Sequence, residues 1–468
     1  MSRSKELIFN TTIIGIGRIS TQLVSFFLLP LYTSILTTEE YGTYDLFVTI
    51  STFLIPVITL LMEESMFRFL IDCKNDNEKK EIISQTVIYT TVSTIIFSII
   101  IFIISRFITI PYCNLFILYL ISSILVGVRN ALTRGLGKIK LYSVSNFITS
   151  LMNIILNILF IAWLKKGVAG LLLANIITNL ITSLIILIKL QVHKYISIRL
   201  YNKNKMKEMI KYSVPLVPNS VSWTIINLSD RLVITSMLGS AENGVYSISN
   251  KFPNLMNTIY SFFYMAWKES AAKTLQDNDT DKFYNNVYRC LKDFMWAIVV
   301  GMISVMPFVF NLIIKNDFIE AYLYIPILIV SMYFSNISGF YGGIFSAYKD
   351  TKIMGSTTIV SAILNLVINI ALIKFIGIWA AAISTLISTL VVYLYRKVKI
   401  KKYIMLEEDK RKFILSWIAL FISAIIYYID NLPLRILLLI VIILYCIIIN
   451  RAILDTVYTF LKAKLFNK

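Results

Sequence analysis

Charge is scarce in this chain of 468 residues: Asp, Glu, Lys and Arg make up 15% of it, against roughly 25% in soluble domains. The one histidine, His193, excludes any site that needs two, and its place beside Lys194 at the end of an apolar run marks an interfacial residue. The four cysteines (Cys73, Cys113, Cys290, Cys446) are scattered without a CxxC spacing. That excludes a zinc site and a disulfide framework, so no metal and no cofactor is expected. A Walker A sequence is absent, as is any polar stretch long enough for an ATPase domain. Energy for any work must then come from an ion gradient, the membrane potential or downhill flux.

What fills the chain is apolar. Hydrophobic residues make up 57% and mean hydropathy is +0.75. The first apolar segment, 7–36, is too long for a cleaved signal peptide and reads as a span. Runs of about 20 apolar residues predict spans over 7–36, 44–69, 82–106, 110–133, 142–163, 168–190, 210–238, 244–268, 287–313, 322–347, 353–374, 377–396, 412–430 and 433–454. The net charge of +19 then reflects topology and not nucleic-acid binding, because short cytoplasmic loops collect Lys and Arg. Alternate returns hold Lys74, Lys79 and Lys80; Arg134, Lys138 and Lys140; a basic stretch from Lys194; and a dense run from Arg396 to Lys412. This asymmetry predicts a multi-pass protein of a bacterial cell (inner or plasma) membrane with both termini cytoplasmic.

The chain also repeats itself. Thr33, Ser34, Leu36, Glu40, Gly42 and Tyr44 recur as Thr235, Ser236, Leu238, Glu242, Gly244 and Tyr246, at a constant offset of 202. Asn153 and Asn157 are echoed by Asn365 and Asn369, and Gly167 by Gly377. The expected architecture is an all-α integral membrane protein of about 14 transmembrane helices, with two parallel six-helix repeats and two C-terminal helices. The domains expected are a first repeat (1–193), a basic cytoplasmic linker (194–209), a second repeat (210–397), a basic loop (398–411) and a C-terminal helix pair with tail (412–468). Parallel repeats are the plan of alternating-access transporters. Gly42 and Gly244 are expected to form turns, and Pro30, Pro56, Pro215, Pro218, Pro253 and Pro307 to kink helices.

Helical phase singles out the candidate residues. Thr11, Gly15, Arg18, Gln22 and Ser25 share one face of the first span, and Asp45, Thr49, Thr52, Pro56, Thr59 and Glu63 one face of the second. Shifted into the second copy, Ser220, Thr224, Asn227 and Arg231, then Ser247, Lys251, Asn254, Thr258 and Ser261, do the same. A central water-filled cavity explains polar faces in both copies. Charges at membrane depth usually face such a path, and here Arg18, Arg231 and Lys251 outnumber the acids. That predicts an anionic head on the substrate, held by guanidinium forks and an ammonium. Gln22, Ser25, Thr49, Thr52, Ser220, Thr224, Asn227 and Asn254 complete the expected lining. The competing structural readings are Arg18 paired with Asp45 or Asp230, Arg231 paired with Asp230, and Lys251 reaching out to the interface. Asp45, Glu63 and Asp230 are the candidates for ion coupling. The four asparagines read as interhelical hydrogen bonds.

The segments Leu29-Pro30-Leu31-Tyr32 and Tyr41-Gly42-Thr43-Tyr44, after a basic leader and a long first helix, resemble the polysaccharide-transporter branch of the multidrug/oligosaccharidyl-lipid/polysaccharide exporter superfamily, the Wzx-type flippases of O-antigen and capsule. The resemblance covers essentially the whole chain. It implies a non-enzymatic flippase that moves polyprenyl-diphosphate-linked oligosaccharide units to the outer leaflet for surface polysaccharide such as lipopolysaccharide O-antigen. Arg18, Arg231 and Lys251 would hold the diphosphate or acidic sugars, and 412–454 would offer a groove to the lipid tail. The polysaccharide polymerase and chain-length proteins are the implied partners, besides the bilayer. A multidrug/cation antiporter of the same superfamily is the alternative, and extra spans and a cationic cavity argue against it. A membrane glycosyltransferase or polymerase is less favoured, since no outer loop is long enough for a catalytic domain.

Overall fold

A computed structural model describes residues 26–73, 75–277, 279–451, 453–455 and 459. Sixteen α-helices among them are used below, and no β-strand is present among the described residues. In chain order these are α1 (Leu29–Ile35), α2 (Thr38–Thr59), α3 (Met62–Asp72), α4 (Asp76–Phe107), α5 (Cys113–Gly135), α6 (Ile139–Asn157), α7 (Gly167–Lys189), α8 (Lys203–Ser213), α9 (Val217–Met237) and α10 (Ser240–Lys273). The rest are α11 (Thr280–Ile313), α12 (Ile325–Ala347), α13 (Thr351–Ile376), α14 (Trp379–Ile400), α15 (Lys410–Tyr428) and α16 (Leu432–Ile449). A π-helical turn, Ile158–Trp163, extends α6, and a 3-10 segment, Asn316–Tyr324, leads into α12.

Polar residues punctuate this apolar chain. Thr37 caps α2 through a capping box: its hydroxyl accepts from the Glu40 N–H at 3.2 Å, and its own N–H donates to Glu40 Oε2 at 3.0 Å. Asn75, Asn202, Asp409 and Asn431 cap α4, α8, α15 and α16 in the same sense. Eleven helical segments among the described residues are long and apolar enough to cross a membrane. Val92, Ile95, Ile96, Ile99 and Ile103 of α4 stay exposed, as expected of side chains that face lipid rather than water. Helices α9 and α10 have 21 and 34 residues, enough to span, but their polar residues keep them out of the apolar set. The first expected span, 7–36, is described only from residue 26.

The structure corrects three local expectations. Segments 44–69 and 210–238 are each broken. The first breaks at Leu60 and Leu61, which adopt φ 48° and 54°. The second breaks at the 3-10 turn Val214–Leu216, where Pro215 lacks a backbone donor and Pro218 opens α9. Gly42 and Gly244 are not turns but lie inside α2 and α10. They let the two helices touch: a Cβ at Gly42 would overlap the Ser240 carbonyl, and one at Gly244 would overlap the Thr38 carbonyl. Asn243 Nδ2 donates to the Gly42 carbonyl at 2.8 Å in the same contact. Small residues at helix crossings serve this purpose in membranes. Pro56, Pro253 and Pro307 sit within α2, α10 and α11.

The chain forms two compact units, Met1–Gly244 and Val245–Lys468. In the first, Met62, Met66 and Leu70 of α3 pack with Ile82, Val128, Leu132 and Met209, and Phe47 packs with Phe116, Leu172 and Ile176. In the second, aromatic rings dominate. Trp267 stacks on Phe340 at 4.4 Å and donates Nε1–H to its carbonyl at 3.0 Å; Gly343 leaves room for the indole. The strap between α14 and α15 is tied down by Glu408, which accepts from Lys292 (3.2 Å), Lys397 (2.8 Å) and the Tyr288 hydroxyl (2.8 Å). Glu407 pairs with Arg289.

Candidate functional site

In the first unit α2 and α9 bring two of the predicted residues together. Arg231 Nε donates to Asp45 Oδ2 at 2.6 Å, and both residues are buried. The guanidinium also donates Nη1–H to the Asn227 carbonyl at 3.1 Å, one helical turn back. Asp45 and Arg231 were expected in separate roles, ion coupling and substrate binding; the geometry makes them one ion pair that joins two helices. Breaking it would strand a buried charge, which makes the pair a sensitive element for any process that moves α2 against α9.

The remaining predicted residues surround this pair or lie apart from it. On α2, Thr49 is buried and Thr52 exposed, its hydroxyl donating to the Thr49 carbonyl at 2.7 Å. On α9, Ser220 and Thr224 are half-buried and the Asn227 side chain is exposed. Asp230 is buried. In the second unit Lys251 is half-buried and Asn254 exposed on α10. Glu63 stands on the first turn of α3, buried, with Oε1 accepting from the Thr59 hydroxyl at 3.3 Å. Arg18, Gln22 and Ser25 lie outside the described residues.

Two further buried cations appear away from these faces. Arg129 of α5 is fully buried and donates to Thr182 Oγ1 at 2.8 Å, to Asn146 Oδ1 at 3.1 Å and to Asn130 Oδ1 at 3.1 Å. Arg396 of α14 donates Nη1–H to the Ser338 carbonyl at 3.0 Å and Nη2–H to Thr357 Oγ1 at 2.9 Å. Each ties three helices of its own unit through neutral acceptors. Arg129 is visible in sequence as a charge near a span end. Arg396 is hidden there inside a basic run. The repeated asparagines act between helices: Asn153 donates to Asn175 of α7 at 3.1 Å, and Asn365 to Ser384 and Thr385 of α14 at 3.2 Å. No group of three or more His, Cys, Asp or Glu side chains is placed to hold a metal among the described residues.

Known proteins share this arrangement of helices. The chain superposes on a structure described as "Lipid II flippase MurJ, inward closed conformation" with a TM-score of 0.75 at 16% identity, covering 96% of this chain and 100% of that one. An inward-facing multidrug resistance MATE family transporter of the MOP superfamily matches with a TM-score of 0.68 at 16% identity, over 83% of this chain and 98% of that one. These likenesses give the fold. In sequence, the uncharacterized membrane protein MJ1375 of Methanocaldococcus jannaschii is 23% identical over 307 residues, 61% of this chain and 71% of its own length. Residues 7–267 match the model of the family described as "Polysaccharide biosynthesis protein". The chain belongs to that polysaccharide biosynthesis family and has the fold of the MOP-superfamily transporters.

Proposed function

We propose that this protein is a flippase for polyprenyl-diphosphate-linked oligosaccharide units, carrying them from the cytoplasmic to the outer leaflet by alternating access in the synthesis of surface polysaccharide such as O-antigen or capsule. The observation that carries the reading is the polar face of α9 and α2, where Arg231 and Asp45 form a buried pair beside Thr49 and Asn227. Charge at this depth is costly and is usually functional. In this reading Arg18 and Lys251 hold the diphosphate or acidic sugars, and Arg231 joins them when its pair with Asp45 opens. Ser and Thr hydroxyls and the amides of Gln22, Asn227 and Asn254 take up the glycan. Asp45, Glu63 and Asp230 serve ion coupling. The second unit supports a place for the lipid: an apolar cavity of about 930 Å³ bounded by Ile327, Val330, Leu386, Phe421 and Tyr428, a volume at the upper end of ligand sites. The polymerase and chain-length proteins are the partners that would receive the product.

A cation or drug antiporter is the competing reading, favoured by the MATE likeness and by Asp45 and Asp230. Arg18→Ala and Asp230→Asn separate the two. Loss of glycan export from the arginine change alone supports the flippase. Loss only from the carboxylate change, with altered drug sensitivity, supports the antiporter.

A further inference from the structure

At their basic ends α13 and α14 build a groove of graded polarity. The two helices are consecutive spans joined through Gly377 and Ile378, so the start of α13 and the end of α14 share one end. A cavity of about 120 Å³ opens between them, lined by Ser356, Thr357 and Val360 of α13 and by Val391, Val392 and Tyr395 of α14. Ser356, Val360 and Tyr395 are exposed, so the cavity lies on the outside of the unit and not in its core. Ile359, Ile363 and Val367 of α13 continue from it as exposed apolar surface, the kind of surface with which a span meets acyl chains. Lys352 stands one turn before Ser356, and Lys399 one turn after Tyr395; residues four apart share a helix face. The Lys399 ammonium lies 5.5 Å from the centre of the Tyr395 ring. From mouth to floor the groove runs from two ammonium groups, through the hydroxyls of Ser356, Thr357 and Tyr395, to valine and isoleucine.

A third cation sits behind the groove. Arg396 is buried, and its Nε–H and Nη2–H both donate to the Thr357 hydroxyl of the cavity wall, at 3.0 and 2.9 Å. Its other bonds go to the Ser338 and Met354 carbonyls at 3.0 and 3.3 Å. These acceptors are neutral, and in a low-dielectric surround the guanidinium charge acts over a longer distance than in water. The acids of this end have partners of their own: Asp350 accepts from the Tyr403 hydroxyl at 2.5 Å, and Glu408 from Lys397 at 2.8 Å. Lys401 and Lys402 add exposed charge where the chain leaves α14. Lys and Arg mark the cytoplasmic ends of spans, and the cytoplasmic leaflet carries the acidic lipids. Basic clefts between transmembrane helices on that side take the headgroups of such lipids. A soluble anion gains nothing from the valine floor or the isoleucine surface beyond it. A phosphodiester attached to acyl chains uses every part.

We propose that the cleft between α13 and α14 is a binding site for an anionic phospholipid of the cytoplasmic leaflet. The Lys352 and Lys399 ammonium groups hold its phosphate, and the Ser356 and Tyr395 hydroxyls bond the phosphate or ester oxygens. The first carbons of one acyl chain enter between Val360, Val391 and Val392, and the rest of the chain lies along Ile359, Ile363 and Val367. The site is formed by the second unit alone, shares no residue with the proposed cargo site and does not rest on the flippase reading.

The experiment is native mass spectrometry of the full-length protein in detergent, titrated with dioleoyl phosphatidylglycerol or with dioleoyl phosphatidylcholine, which has the same chains and no net charge. Wild type should retain one phosphatidylglycerol in preference to phosphatidylcholine. Lys352→Gln and Lys399→Gln should each weaken that retention about fivefold, the factor expected of one basic residue near acidic lipid. Ser356→Phe fills the groove without changing charge and should weaken it as well. Lys374→Gln removes a charge from the opposite end of α13 and should leave it unchanged. All four positions are exposed, so these variants keep the fold, which thermal unfolding checks. Equal retention of the two lipids by wild type overturns the proposal. So does a preference that survives the Lys352→Gln/Lys399→Gln double variant, or one that Lys374→Gln reduces as much as either lysine of the groove. Displacement of bound phosphatidylglycerol by excess inorganic phosphate assigns the cations to a free anion and overturns the lipid assignment.

Discussion

The turn between α5 and α6 in the first unit and the turn between α12 and α13 in the second are closed by the same three backbone hydrogen bonds. The N–H groups of Leu136, Gly137 and Lys138 donate to the carbonyls of Leu132, Arg134 and Thr133; those of Tyr348, Lys349 and Asp350 donate to Ile344, Ser346 and Phe345, each 212 residues on. Gly137 and Lys349 occupy the same left-handed position, with φ 69° and 60°. Gly167 and Gly377 match again with φ 53° and 56°. The side chains around these turns differ. The first unit closes its helices with Arg129 on α5, the second with Arg396 on α14. Among the described residues, aromatic ring contacts are few in the first and extend through the second, as in the Trp296–Tyr333 and Tyr322–Tyr427 contacts at 4.4 and 4.1 Å. The two units share these backbone devices and differ in the side-chain chemistry around them, so a role argued in one is not carried to the other residue by residue.

That contrast can be broken most severely at the glycines. Gly42→Ala places a Cβ against backbone that cannot rotate away and should destabilise by roughly 3 kcal/mol or more. Gly127→Ala meets nothing within 4 Å and should change stability by less than about 1 kcal/mol. Thermal unfolding in detergent distinguishes them. Next comes the ion pair of the first unit. Arg231→Ala leaves Asp45 buried and should cost about 3–5 kcal/mol, with the Asp45→Ala/Arg231→Met double variant recovering most of it; a double-mutant cycle reads the coupling.

In the second unit Glu408→Ala strands Lys292, which is 6% exposed, and should cost about 1–3 kcal/mol. Glu407→Ala removes an exposed pair and should cost less than about 1 kcal/mol. Burial raises the Glu408 carboxyl, but the Lys397 hydrogen bond and the Lys292 charge outweigh it and bring the group below its ordinary value. A depressed carboxylate contributes its stability above the unfolded-state pKa and loses it as pH falls through the folded-state value. Wild type should therefore lose its advantage over Glu408→Ala on acidification. The smallest effect sharpens the turn comparison itself. Gly137→Ala should cost about 1 kcal/mol at its left-handed φ, whereas Lys349→Gly should be neutral to slightly stabilising.

The helices are legible in the sequence because lipid leaves few alternatives to a hydrogen-bonded helix, and the polar residues of α2, α9 and α10 stand out there by their helical spacing. The glycine motif was found but misread: Gly42 and Gly244 looked like turn residues, and only their packing reveals close contact between helices. The pairing of Asp45 with Arg231 was out of reach because the two are 186 residues apart and each had a nearer-seeming partner. The break at Leu60 and Leu61 carries no signal either, since leucine is a good helix former and both residues adopt a left-handed backbone that their type disfavours. Arg396 was masked by the basic run around it.

The most direct test of the flippase reading is the pool of lipid-linked glycan in a strain lacking this protein, with surface polysaccharide scored in parallel. The account predicts that oligosaccharide-diphosphate-lipid accumulates on the cytoplasmic side while surface glycan disappears. An unchanged pool and an unchanged surface would contradict it.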